Sequence, residues 1–281
     1  MKVNRLSLRY PNPSAPAFSL VELAVVLGII GLLAGLVLPS LARARESGRS
    51  AVCQANLAQL NLAWTLYADD AEGRLVGNLG DARVRLLANS NATWVLGWID
   101  VDGGGELRAN TNEFLLRQSP LYSYLTGAIR PFKCPSDRLT SCPRVRSVSM
   151  NGYVGSLTRS FTAGYQTFTT QSALARMRTG PSSLLVMLDE RSDSINDGTF
   201  YVAMEGDGVT PGDARLIDYP ASYHVGGGNL SFADGHVERR RWMEPLTTPP
   251  LVPCGRLGFR GLMPGSRDIA WLQARVTSPE P

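Results

Sequence analysis

From Phe18 to Leu38 the sequence reads FSLVELAVVLGIIGLLAGLVL, 21 residues carrying a single charge, Glu22. As a helix rising about 1.5 Å per residue, such a run is about 30 Å long, the thickness of a bilayer's hydrocarbon core. It has to be buried in lipid, buried against other copies, or removed during export. Only one such run exists in the 281 residues, which excludes a polytopic membrane protein. The rest is ordinary for a folded chain: 44% hydrophobic and 19% charged, with 28 Gly and 18 Pro, too few for a collagen-like or low-complexity polymer. The formal charge of +4 is concentrated in the first 17 residues, at Lys2, Arg5 and Arg9; without them 25 basic residues face 24 acidic ones. Near neutrality there is no global electrostatic pull toward DNA or RNA, and no nucleic-acid partner is expected.

Two simple readings of the apolar run leave features unexplained. As a secretory signal it is too long for an h-region of about 7–15 residues, although Ala42 and Ala44 imitate a small-residue cleavage site. As a plain single-pass anchor it leaves Glu22 unaccounted for, because a lone carboxylate in lipid is costly and marks function. Gly31 and Gly35, with Gly28 nearby, form the GxxxG spacing that lets another helix approach closely. Orientation is not set by charge, since Arg43, Arg45 and Arg49 follow the run as Lys2, Arg5 and Arg9 precede it.

Ala17, then Phe18-Ser19-Leu20-Val21-Glu22, an apolar helix, and Pro39 at mature position 22 together resemble the N-terminus of type IV pilins and type II secretion pseudopilins. The resemblance implies cleavage between Ala17 and Phe18 by a prepilin peptidase on the cytoplasmic side, followed by methylation of the Phe18 amine. The family's residue before the cut is usually Gly, and here it is Ala17. The family's glutamate falls on Glu22, where it would answer the amine of a neighbouring subunit's Phe18. The implied partners are the peptidase, other pilin-like subunits, the secretion or pilus machinery and the bacterial inner membrane, with the head outside the cytoplasm.

Residues 40–72 contain no proline, and Leu57, Leu60, Trp64, Tyr67 and Ala71 recur at three- and four-residue steps. This spacing predicts an amphipathic continuation of the helix, kinked at Pro39, with one stripe against a head. Asp69-Asp70 read as a solvated helix end. Past Gly73 the pattern shifts to short strand-like runs at Thr93–Ile99, Arg144–Met150, Leu184–Leu188, Thr199–Met204 and Gly228–Trp242. The last holds Asp234-Gly235 between two runs, a two-residue type I′ hairpin signal. From Pro245 onward, Pro and Gly at short intervals predict an extended strap. The expected fold is therefore α+β, with a long N-terminal helix on an antiparallel sheet. Its segments are a leader (1–17), a transmembrane assembly helix (18–38), an amphipathic helix (39–72), a head (73–244) and a tail (245–281).

His224, nine residues, then Asp234-Gly235 fits the H-X9-DG motif of a large subfamily of bacterial prepilin-like proteins that resemble the major pseudopilin. Other features of that subfamily follow the same order: Cys53 with Asn56-Leu57, Phe132-Lys133-Cys134-Pro135-Ser136-Asp137, Ser149-Met150-Asn151, and Asp189-Glu190 closing an apolar strand. The resemblance spans Phe18 to about Trp242 and implies assembly rather than a defined activity.

Four cysteines in an exported chain invite pairing. Cys134 and Cys142 enclose a short Pro-containing loop and are the first choice for a bridge; Cys53 and Cys254 are left to pair with each other or to stay thiols. No C-x-x-C occurs, so no metal site is assigned on spacing. His224, Asp234 and His236 are the candidates for a metal or acid–base site, but a turn role suffices for Asp234, the histidines can simply hydrogen-bond within the head, and no nucleophile motif accompanies them, so no enzyme activity is expected. Asp189, Glu190, Asp193 and Asp197 crowd one loop and are the candidate donors for calcium, set against a solvated acidic turn; no other cofactor is expected. Gly103–Gly105 and Gly226–Gly228 lack phosphate-loop patterns. Of Arg239, Arg240 and Arg241, two share a strand face, too few for a nucleic-acid track. The expectation is a structural pilin-like subunit; the alternative is an exported binding or metal-dependent hydrolytic head whose N-terminus is only a signal or anchor.

Overall fold

The computed structural model describes residues 19–100, 107–158, 162–204, 215–258 and 261–280. One helix, α1, runs for 51 residues from Leu20 to Asp70 and is unbroken through Pro39. The chain divides at Arg45/Glu46 into two compact units. In the first, residues 19–45 are exposed throughout, so its leucines, valines and isoleucines have no cover within the chain.

In the second unit α1 becomes amphipathic. Ser50, Cys53, Leu57, Leu60, Asn61, Ala63, Trp64 and Ala68 are buried on it, spaced at three- and four-residue steps. Tyr67 and Ala71, expected on the same stripe, sit at its half-buried margin. The helix packs on a five-stranded sheet of β1 (Val148–Asn151), β2 (Leu185–Asp189), β3 (Thr199–Phe200), β4 (Gly227–Phe232) and β5 (Val237–Arg241), in spatial order β3-β1-β2-β4-β5. Every pair is antiparallel except β1 with β3. The sheet is thus mixed, because the chain returns from β2 to β3 beside β1 rather than by a hairpin.

Strand β2 (LVMLD) is buried at all five positions, which explains why it reads as a continuous apolar run without alternation. β5 at the edge keeps Arg239 and Arg241 exposed, while half-buried Arg240 on the other face stacks over Trp271 at 4.7 Å. Asn61 of α1 donates to the Phe232 carbonyl at 2.9 Å, tying the helix to β4.

Four expectations are corrected. Thr93–Ile99 is buried but forms no strand; its amides bond to loops instead, Trp94 to the Gly77 carbonyl and Ile99 to that of Asn196. The Thr199–Met204 run shortens to a two-residue strand. At the hairpin only Gly235 has positive φ (+97°), and its amide bonds to the Phe232 carbonyl, so Ala233, Asp234 and Gly235 make a three-residue loop instead of a type I′ turn. The tail is not merely a strap, since Arg267–Val276 is helical. Ser266 caps this C-terminal helix, accepting from the Ile269 amide, and Ile269, Leu272 and Val276 are fully buried beneath it.

Candidate functional site

Two places in the molecule carry features that packing alone does not explain. The first is the exposed apolar stretch of α1. Gly28, Gly31 and Gly35 have nothing within 4 Å of the position a Cβ would occupy, so their surface is open to an approaching helix. At its start, the Ser19 amide donates to Glu22 Oε2 at 2.9 Å, and the Glu22 amide donates to Ser19 Oγ at 3.1 Å. Ser19-Leu20-Val21-Glu22 is therefore a capping box, a local partner for Glu22 that the S-x-x-E spacing already encodes. Pro39 lies inside the helix. Ala17 and Phe18 fall outside the described residues.

The second lies where α1 meets the sheet in the second unit. Cys53 points from α1, Cys134 from the loop after the Arg130–Phe132 turn, Asp189 from the end of β2, and His224 from the segment entering β4. All four are buried, and one ligand atom from each lies within 4.8 Å of the others. Cys53 Sγ donates to Asp189 Oδ2 at 2.8 Å. His224 Nε2 sits 3.3 Å from Cys134 Sγ and 3.4 Å from Asp189 Oδ2. Its other nitrogen, Nδ1, is 2.9 Å from Glu46 Oε1, which also accepts from Ser136 Oγ at 2.6 Å, while Arg49 holds Glu46 Oε2 at 3.0 Å.

The loops are built to hold this geometry. The Cys134 amide donates to Ser147 Oγ at 2.8 Å, and the Ser136 amide reaches Cys134 Sγ at 3.4 Å. Asp137 accepts twice from Arg144, at 2.8 and 3.2 Å, in a buried pair that fixes the far side of the same loop. The His224 amide bonds to the Gly227 carbonyl, with Val225 and Gly226 both at positive φ in the tight turn between them. Burial works to lower the His224 pKa, but hydrogen bonds to Asp189 and Cys134 outweigh it and raise it to about 10. Contact with the Cys53 thiol lowers Cys134, and the same contact, with burial and Asp189, pushes Cys53 up.

The remaining candidates disperse. Asp234 and His236 sit on the exposed hairpin tip and pair with each other at 2.6 Å, with the His236 ring stacked on Phe232. The six residues of β4 stand between them and His224, roughly 20 Å at strand rise, so the two ends of the H-X9-DG motif do different work. The acidic loop does not gather around one point. Asp189 joins the cysteines, Glu190 accepts from Ser149 and Ser194, Asp193 pairs with Arg191 at 2.8 Å, and Asp197 accepts from the Thr199 amide. Among the described residues, the cysteine–histidine–aspartate set is the one grouping of three or more such ligand atoms. The disulfide is also corrected. Cys142 pairs with Cys254 across 112 residues, binding the tail to the loop, whereas Cys134 faces inward to His224 and stays a thiol, as does Cys53.

A separate acidic cavity, about 410 Å³, is lined by Asp81, Asp197, Asp218, Trp98 and Arg256 among others. Burial, then the neighbouring Asp197, raises Asp218 to about 8, and burial raises Asp197 to about 6. Both sit near 4 in an unfolded chain, so between about pH 4 and 8 the native state holds more protons and stability falls as pH rises. Asp218→Asn, which keeps an acceptor for the Tyr201 amide, is expected to flatten that fall between pH 6 and 8. Urea midpoints measured across that range check it, and an unchanged slope would count against it.

No family model, curated protein or solved structure matches the chain, so its own sequence and geometry carry the functional reading.

Proposed function

We propose that this chain is a structural, pilin-like subunit: cleaved before Phe18 by a prepilin peptidase, methylated there, and assembled through α1 into a type II secretion or type IV pilus-like filament. The observation that carries the reading is the uncovered apolar half of α1. Leu20 is 84% exposed, Leu32 68% and Leu36 70%, an area that water does not tolerate on an isolated molecule. By length and composition the segment is long and apolar enough to cross a membrane, which supports insertion. Its open glycines and the carboxylate at its start support a further role, packing against copies of itself. The head would then be displayed outside the inner membrane.

The alternative, a simple anchor carrying a working head, draws support from the capping box, because Glu22 already has a partner within its own helix. A catalytic head is less well supported. Cys53, Cys134, Asp189 and His224 are each no more than 1% exposed, so a substrate has no route to them. Mechanical shearing of cells producing the chain tests the assembly reading. The chain is expected in the released high-molecular-weight fraction as well as the membrane; confinement to the membrane as a monomer would favour the anchor.

A further inference from the structure

We propose that Cys53, Cys134, Asp189 and His224 bind a zinc ion in a closed tetrahedral site that fastens α1 to the sheet. The donor set is two sulfurs, one imidazole nitrogen and one carboxylate oxygen, all within 4.8 Å of one another. Zinc bonds of about 2.0–2.3 Å place tetrahedral ligands about 3.3–3.8 Å apart. The His224–Asp189 and His224–Cys134 separations, 3.4 and 3.3 Å, already match that spacing, while Cys53 and Asp189, 2.8 Å apart through a thiol hydrogen bond, would move apart as the metal replaces that proton. Soft thiolates select zinc over calcium or magnesium, and a hard carboxylate beside them disfavours copper(I).

Three further features lie around the donors as a zinc site requires. His224 Nδ1 faces the Glu46 carboxylate at 2.9 Å, the outer partner that fixes the tautomer and leaves Nε2 free to ligate. The Ser136 amide points at Cys134 Sγ, where it would stabilise a thiolate. Asp189 Oδ1, the carboxylate's other oxygen, is buried without a hydrogen-bond partner among the described residues, and a cation held at Oδ2 would offset its charge. Binding releases to solvent whatever protons Cys53 Sγ, Cys134 Sγ and His224 Nε2 still hold; His224 then ligates as the neutral imidazole with its remaining proton on Nδ1 toward Glu46. Two thiolates and one carboxylate around a dication leave a net charge of −1. The four ligands come from four separate segments, so the ion would close three long loops at once.

The site does not depend on the assembly reading. The full chain, purified in detergent without chelator or histidine tag and dialysed against zinc and then buffer, is expected to retain one zinc per chain by elemental analysis. Cobalt in its place should give the intense visible bands of a tetrahedral thiolate complex. Both thiols should resist alkylation until a chelator is added. Cys134→Ser and His224→Gln are expected to abolish retention, while Cys142→Ser with Cys254→Ser keeps it. Should the ligand variants fail to fold, Glu46→Gln leaves all four ligands in place and should weaken zinc about 10–100-fold in a chelator competition. A zinc-loaded preparation that retains no metal overturns the proposal, as does non-reducing peptide mapping that finds Cys53 joined to Cys134.

Discussion

Glu22→Gln is expected to insert into the membrane at the wild-type level and to be nearly absent from sheared filaments. Glutamine at this position still caps the helix, so the exchange with Ser19 survives and the local helix start is kept. What it removes is the negative charge. If that charge answers the Phe18 amine of a neighbour inside lipid, its loss leaves a buried cation unpaired, at a cost of about 3–5 kcal/mol. At 1.4 kcal/mol per factor of ten, subunit association weakens at least about a hundredfold. Wild-type filament yield from Glu22→Gln would assign Glu22 to the capping box alone. Glu22→Ala confounds the two roles, which is why the glutamine variant is the sharper one.

Asp137→Ala is expected to destabilise the head by about 3–5 kcal/mol, because it strands the Arg144 guanidinium in the interior. The pair's side chains are 1% and 2% exposed, and Arg144 has one other acceptor, the Ser192 carbonyl at 2.5 Å. The loop released is the one that carries Cys134 and Ser136 to His224 and Glu46. Urea unfolding of the full chain in detergent, followed by tryptophan fluorescence, measures the loss. Adding Arg144→Met to Asp137→Ala is expected to restore most of it, since an apolar replacement for a buried pair is close to neutral. A loss under about 1 kcal/mol for Asp137→Ala would mean that water reaches Arg144 and the clamp is not buried in solution.

Local signals in the sequence were sufficient for some elements and silent on others. The apolar run and its amphipathic continuation specify α1, because burial against the sheet repeats at helical spacing through Leu57, Leu60 and Trp64. Asp234-Gly235 between two strand-like runs specifies the hairpin, although not the loop length, which Ala233 extends by one residue. The parallel β1–β3 pair has no local signature, since it depends on where the chain returns. The C-terminal helix was masked by two polar residues buried on it. Asp268 faces inward to bond the Met243 and Glu244 amides, and Gln273 reaches the Ala203 carbonyl, which breaks the apolar stripe of Ile269, Leu272 and Val276.

The buried cluster was legible residue by residue but not as a cluster. Cys53, Cys134, Asp189 and His224 each stood in a quoted motif, yet their separations of dozens of residues match no ligand spacing; only the fold brings them together. The choice of Cys142 with Cys254 over Cys134 was closed to the sequence for the same reason. Loop length favours the near pair, but the inward turn of Cys134 withdraws it.

The mature N-terminus tests most directly whether the apolar rod stays on the protein. Mass spectrometry of the chain recovered from membranes is expected to find a first residue of N-methylated Phe18. A first residue near Arg45, with the chain in the soluble fraction, would contradict assembly through α1.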